Sequence, residues 1–387
     1  MDKLKNIGIS ALAGTLVSLS AAQAGGVSVT GAWELSYTNK HSEKVSGNKL
    51  GMKKNITFGS GGDISDGGAV TWATTVAMSD TMGLSSASMS INMGGIATLA
   101  YDSGTGGYGA NKVDNIVPTA WEEIDYGLST GITDVGRVSS SKGVVNFAVK
   151  APTSGTGISF SYISRMGGSH IADGGTDPGA SGGGRGIDLT IDFVDYSSPH
   201  FGFRLGTAAE MEIVKDTCDD DEGRLYASCP ANYENHPYAG TAYTKLALGP
   251  IHIGAQATFE DMGSTAITGV ANERSIVGGL AFVFGDTLSL SYGKAWQKRR
   301  YNDALRGTGY SQASGALGTR LGGGGSTGVG GETGPFEYER SDYSGISAAL
   351  NIGPVALKAT RNRVDGAGEN HSSKPRKHSE INLSIAF

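Results

Sequence analysis

The chain has 387 residues, of which 62 are glycine and only 38% hydrophobic, and it carries a formal net charge of −6. Past the first two dozen residues no apolar run approaches the ~20 that a helical membrane span requires, so a helical membrane protein is excluded. The acidic balance argues against nucleic acid as a partner, while the glycine content also fits a repetitive secreted chain, which leaves periodicity to decide.

Residues 1–24 carry Lys3 and Lys5, then an apolar run through Ile9, Leu12, Leu16 and Val17, and finish in Ala22-Gln23-Ala24. That is the order of a cleavable secretory leader, so 1–24 is read as a signal peptide and 25–387 as one exported unit. The leader holds Asp2 against two lysines, so removing it leaves the exported unit slightly more acidic than the whole chain.

Beyond the leader, apolar and polar residues alternate, the pattern of a strand whose two faces meet different surroundings. The first segment places Val27, Val29, Trp33, Leu35 and Tyr37 in one phase and Ser28, Thr30, Glu34 and Ser36 in the other. Similar segments follow at 53–58, 70–78, 87–93, 96–101, 144–149, 158–162, 187–193 and 201–205. The series continues at 243–248, 251–259, 276–284, 288–296, 346–352, 355–360 and 381–387, where it stops on the aromatic Phe387.

These segments predict an all-β, transmembrane antiparallel β-barrel of about 16 strands. Short turns such as Gly94-Gly95, Gly249-Pro250 and Gly353-Pro354 alternate with long connections near 102–142, 164–185, 206–240 and 301–343. Short periplasmic turns on one side and long extracellular loops on the other are what such a barrel requires, and an even strand number puts both ends on the periplasmic side. Sixteen strands also leave a water channel, where eight would be filled by their own side chains. The lipid phase is nearly free of charge. Lys294 is the exception, in phase with Leu288, Leu290 and Tyr292, and it reaches an interface, lies in a subunit contact or marks a register slip at Gly293.

The leader, the first strand Gly26-Val27-Ser28-Val29-Thr30-Gly31-Ala32-Trp33-Glu34-Leu35 and the closing strand that ends in Phe387 resemble the general porins of Gram-negative bacteria. With Ile56-Thr57-Phe58-Gly59-Ser60-Gly61-Gly62 added, the chain resembles the alphaproteobacterial branch of that family. The resemblance implies a homotrimer of barrels, each a diffusion channel for small polar solutes and ions, narrowed by an inward-folded third loop. That loop is 102–142, and the resemblance places Trp121, Glu122, Glu123 and Asp125 at the constriction, with basic residues on the wall across from them. Alternation puts Lys53, Arg204, Lys245 and Lys358 on the lumen phase, as candidates for that wall. A weak cation preference follows from the acidic loop and the net charge. Alternatives are a substrate-specific channel, for which no lumen ladder of aromatics or arginines is visible, and a structural or adhesive surface barrel acting through its loops.

Cys218 and Cys229 have ten residues between them in a hydrophilic stretch, and export makes a disulfide between them the expectation, with two free thiols the alternative. Asp219-Asp220-Asp221-Glu222 lies between them and could bridge to lipopolysaccharide through divalent ions, although a solvated acidic loop explains it as well. Gly104-Thr105-Gly106-Gly107-Tyr108-Gly109 superficially resembles a phosphate-cradling turn, but no helix is expected after it. The seven histidines show no metal-ligand spacing and no hydrolytic triad stands out, so neither a metal, a cofactor nor an enzyme activity is expected.

Overall fold

The computed structural model of the chain describes residues 26–41, 48–65, 67–80, 83–103, 107–128, 131–151, 155–164, 185–198, 200–213, 236–261, 270–301, 338–366 and 375–387. The leader, both cysteines and the acidic run at 219–222 lie outside the described residues.

Sixteen strands form one closed barrel in which each pairs antiparallel with its neighbours in sequence, and β1 with β16. They are β1 (Val27–His41), β2 (Leu50–Asp63), β3 (Val70–Met78), β4 (Leu84–Met93), β5 (Ala97–Ser103), β6 (Lys142–Lys150), β7 (Gly157–Ile163) and β8 (Arg185–Ser197). There follow β9 (Phe201–Ile213), β10 (Tyr238–Leu248), β11 (Ile251–Asp261), β12 (Val270–Phe284), β13 (Leu288–Tyr301), β14 (Tyr338–Ile352), β15 (Val355–Asp365) and β16 (Arg376–Ala386). All sixteen predicted segments fall inside these strands except at the edges: Ile96 precedes β5, and Phe387 follows β16.

Closure is made by pairs from Ala32↔Ala386 to His41↔Lys377. Phe387 is tied down as well, exchanging two 3.0 Å backbone bonds with Gly31. A Cβ on Gly31 would come within 2.6 Å of the Phe387 ring, so the terminal aromatic lies where the first strand has no side chain. The turns between β10 and β11 and between β14 and β15 place Gly249 and Gly353 at φ 55° and 60°, the left-handed region that only glycine enters without cost.

Several strands run further at the loop end than alternation indicated. β9 reaches Ile213 rather than stopping at 205, and β14 starts at Tyr338 rather than 346. The reason is that β-ladder hydrogen bonding continues after the apolar–polar contrast fades: on β14 the outward positions there are Arg340, Asp342 and Ser344. A five-residue 3-10 turn at Gly109–Val113 also departs from the expectation of no helix after the Gly104–Gly109 run; it has no side-chain cap and is too short to act as a phosphate-binding helix.

The outward phase is apolar and exposed, as in Val29, Trp33, Leu35, Phe160, Ile253 and Leu383. Lys294 belongs to this phase: it pairs with Gly278 and Ser344, and the β12–β13 ladder runs unbroken through Gly293, which removes the register slip. The buried apolar residues are instead inside the barrel. Ala110, Val113, Ile116, Val117 and Val135 of the third loop pack with Ala208, Ala239 and Tyr243 of the wall, and Ile124 packs with Ala295, Tyr343 and Val364.

Candidate pore constriction

The third loop, between β5 and β6, folds into the lumen and lies along the wall. Its seat is a single rung of the sheet. Gly254 pairs with Gly279, Gly279 with Gly293, and Gly293 with Gly345, so four glycines line up across β11 to β14 on the inward side. A Cβ on Gly254 would meet Pro118 at 2.5 Å, one on Gly279 would meet Val117 at 2.4 Å and one on Gly293 would meet Ile124 at 2.6 Å. The rung is a groove made by leaving side chains out, and the loop fills it.

Neighbouring side chains then satisfy the loop's backbone, as buried amides require. Gln256 takes the Ile116 N–H at 3.2 Å and donates to the Val113 and Asp114 carbonyls at 2.8 and 2.9 Å. Ser291 and Ser347 accept the N–H groups of Ala120 and Trp121 at 2.9 and 3.2 Å. Asn362 donates to the carbonyls of Glu123 and Tyr126 at 2.8 and 3.0 Å. On the returning half, the Glu210 carboxylate accepts the N–H groups of Gly136, Arg137 and Val138 at 3.0, 3.2 and 2.9 Å.

The predicted constriction residues separate into two roles. Trp121 is buried against the wall, its ring 6.1 Å from that of Tyr126 and 6.0 Å from the Lys358 ammonium. Glu123 is exposed to the lumen, and Asp125 turns back to accept the Ile132 N–H at 2.8 Å. Together with Asp114 and Asp134, which carry no signal in the sequence pattern, Glu123 and Asp125 line a cleft open to the lumen. Enclosure by the barrel, reinforced by mutual repulsion, raises these carboxyls: Asp134 to about 6, Asp114 to about 8 and Glu123 to about 9. Asp125 is raised by burial, against the pull of its backbone bonds. Glu122 is raised by burial and by Glu380, while Lys358 and Lys53 oppose the shift. Among the described residues no three His, Cys, Asp or Glu side chains are arranged to hold a metal ion.

The four basic candidates do not form one wall across from the loop. Lys358 is 1% exposed and sits beneath Trp121, on the wall that the loop covers. Lys53 is exposed on β2, paired in register with Glu34. Arg204 and Lys245 are rung partners near the turn end of β9 and β10. Arg204 closes a fork on Asp192 at 2.8 and 3.1 Å, and Tyr243 donates to the same carboxylate at 2.8 Å. Asp192 shares the inward phase of Asp188 and Thr190, and because the β8 register slips by one residue between Asp192 and Val194, Asp195, the register partner of Arg204, reaches the lumen as well. The glycine rung was legible in principle, as glycine at an inward position of four successive strands; the carboxylate Glu210 carried no such signal.

On the opposite side the loop leaves the wall bare. Inward residues of β2 to β4 such as Thr57, Thr75, Ser88 and Ser90 are short, polar and partly open to solvent although the barrel encloses them, and Lys53 shares their phase. Solvent therefore reaches the inner wall on this side of the barrel.

No sequence-family model matches the chain, and no curated relative matches it. Its architecture does have solved counterparts. It resembles OmpT of Vibrio cholerae in its trimer form, at TM-score 0.56 and 10% identity over 94% of this chain and all of that one. It resembles Salmonella typhi OmpF, solved in complex with daunomycin, at TM-score 0.57 and 10% identity over 93% and 97% of the two chains. An anion-selective porin from Comamonas acidovorans aligns at TM-score 0.50 and 11% identity over 94% and 99%. The fold is thus that of the sixteen-stranded outer-membrane porins.

Proposed function

We propose that the chain is an outer-membrane porin, exported by its leader, that lets small hydrophilic solutes and ions cross by passive diffusion. The observation that supports this is the enclosed, polar, solvent-accessible wall of β2 to β4 facing a loop pinned to the other side. No covalent chemistry is needed; width and lining charge set what passes. Self-association into a homotrimer and contact with lipopolysaccharide at the outer leaflet complete the reading, the former supported by the trimer form of the Vibrio cholerae neighbour. Planar-bilayer recording with size-graded sugars tests it: discrete conductance steps that small sugars reduce and large ones leave unchanged are expected, and a purified protein giving no steps refutes it.

The lining favours a weak cation preference, since Asp114, Glu122, Glu123, Asp125 and Asp134 border the passage. The fold itself is neutral on this point, being shared with an anion-selective porin. Glu122→Gln combined with Asp125→Asn is expected to shift the reversal potential in a salt gradient toward zero. An unchanged potential would remove the preference and leave the channel reading intact.

A further inference from the structure

We infer that the lumen is electrically bipolar along its axis, and that the channel passes current asymmetrically at low salt. The inference rests on the channel reading above. It concerns how charge is distributed lengthwise rather than across the eyelet.

At the loop end, one rung of the sheet reads Asp188, Glu210, Ala239, Glu260, Glu273 and Arg299 across β8 to β13. Four of its six inward positions are carboxylates, and Glu212 stands above them on β9. Two guanidinium groups answer these acids: Arg137 reaches Glu260 and Glu212 at 3.2 and 3.3 Å, and Arg299 reaches Glu273 at 2.7 Å. Among the described inward residues of β8 to β13 this end stays acidic, and Asp134 of the loop adds to it.

Toward the turn end the sign reverses. Arg204 lies three residues into β9, its rung partner Lys245 three residues before the end of β10, and Lys150 closes β6. Lys112 of the loop joins them, held close enough to Arg204 and Lys150 that their charge, after burial, lowers its affinity for a proton. Among the described residues around these four, Asp192 and Asp195 oppose them, engaged by Arg204 and by Lys150 at 2.6 Å. The zone is net positive.

Six residue steps along β9 lead from Arg204 to Glu210, a rise of about 15 Å along a tilted barrel strand. The Debye length is about 10 Å at 0.1 M salt and about 3 Å at 1 M, so permeating ions feel two distinct zones in dilute salt and neither strongly in concentrated salt. Cations gather in the acidic zone and anions in the basic one. A field that is positive on the loop side drives both populations toward the junction and enriches it, whereas the reverse field draws both away and depletes it.

Single-channel current–voltage curves in symmetric KCl test this on the intact protein. At 0.1 M the current at opposite voltages should differ by about 1.5-fold or more, and at 1 M the ratio should fall to near one as screening removes both zones. Lys245→Gln with Lys112→Gln, and separately Glu260→Gln, should each lower the 0.1 M ratio toward one, because each weakens one side of the junction. A linear curve at 0.1 M overturns the inference while leaving the channel reading standing. So does a ratio that persists at 1 M or survives both sets of substitutions. Absence of any conductance overturns both.

Discussion

The two halves of the inner wall are built from the same kind of strand to opposite ends. Under the third loop, β11 to β14 give up side chains at Gly254, Gly279, Gly293 and Gly345, and specific partners such as Gln256, Ser347 and Asn362 meet individual loop amides and carbonyls. On the bare half, β3 and β4 carry interchangeable hydroxyls, as in the 2.7 Å contact between Thr75 and Ser88. A wall that holds a chain must match it atom by atom, because each unmatched buried polar group costs about 1–3 kcal/mol. A wall that holds water need only be short and polar, since water supplies the missing partners.

Substitutions that ignore this difference should show it most sharply. Gly279→Leu puts a side chain where Val117 already stands, so the loop must leave its groove. We expect conductance to rise ~2-fold or more as the eyelet opens, with ~1–3 kcal/mol lost to overpacking, read by single-channel recording and thermal unfolding. Glu210→Ala leaves three loop N–H groups without their acceptor and should cost ~2–4 kcal/mol, seen as a lower unfolding temperature and noisier open-channel current.

The loop's acidic face should respond to pH where the bare wall does not. Carboxyls raised to about 6, 8 and 9 at Asp134, Asp114 and Glu123 are neutral in acid and gain charge as the pH climbs through those values. Cation selectivity should therefore increase between about pH 6 and 9, and Asp134→Asn with Glu123→Gln should flatten the rise in reversal potential. The smallest effect belongs to the bare side: Thr75→Ala should cost under ~1 kcal/mol and leave conductance within about 10%, since water takes the place of the lost hydroxyl contact with Ser88. A large change there would erase the contrast between the two halves.

Alternation alone located sixteen strands and their outward faces, from Val29 and Trp33 to Leu383 and Phe387, because the outward face is apolar at every second residue whatever its neighbours are. It did not find where β9 and β14 end, as their loop ends, through Ile213 and from Tyr338, continue the ladder without the apolar–polar contrast that made the pattern visible. Which lumen charges meet was decided only by closure and by the path of the loop. Lys358 went under Trp121, Arg204 found Asp192 across a one-residue slip, and Asp114 joined Glu123 and Asp134. Strand identity is a local property of the period-two pattern, readable one segment at a time. The charge map of the pore depends on rung register across many strands and on a loop laid over them, and neither is written in any single stretch of sequence.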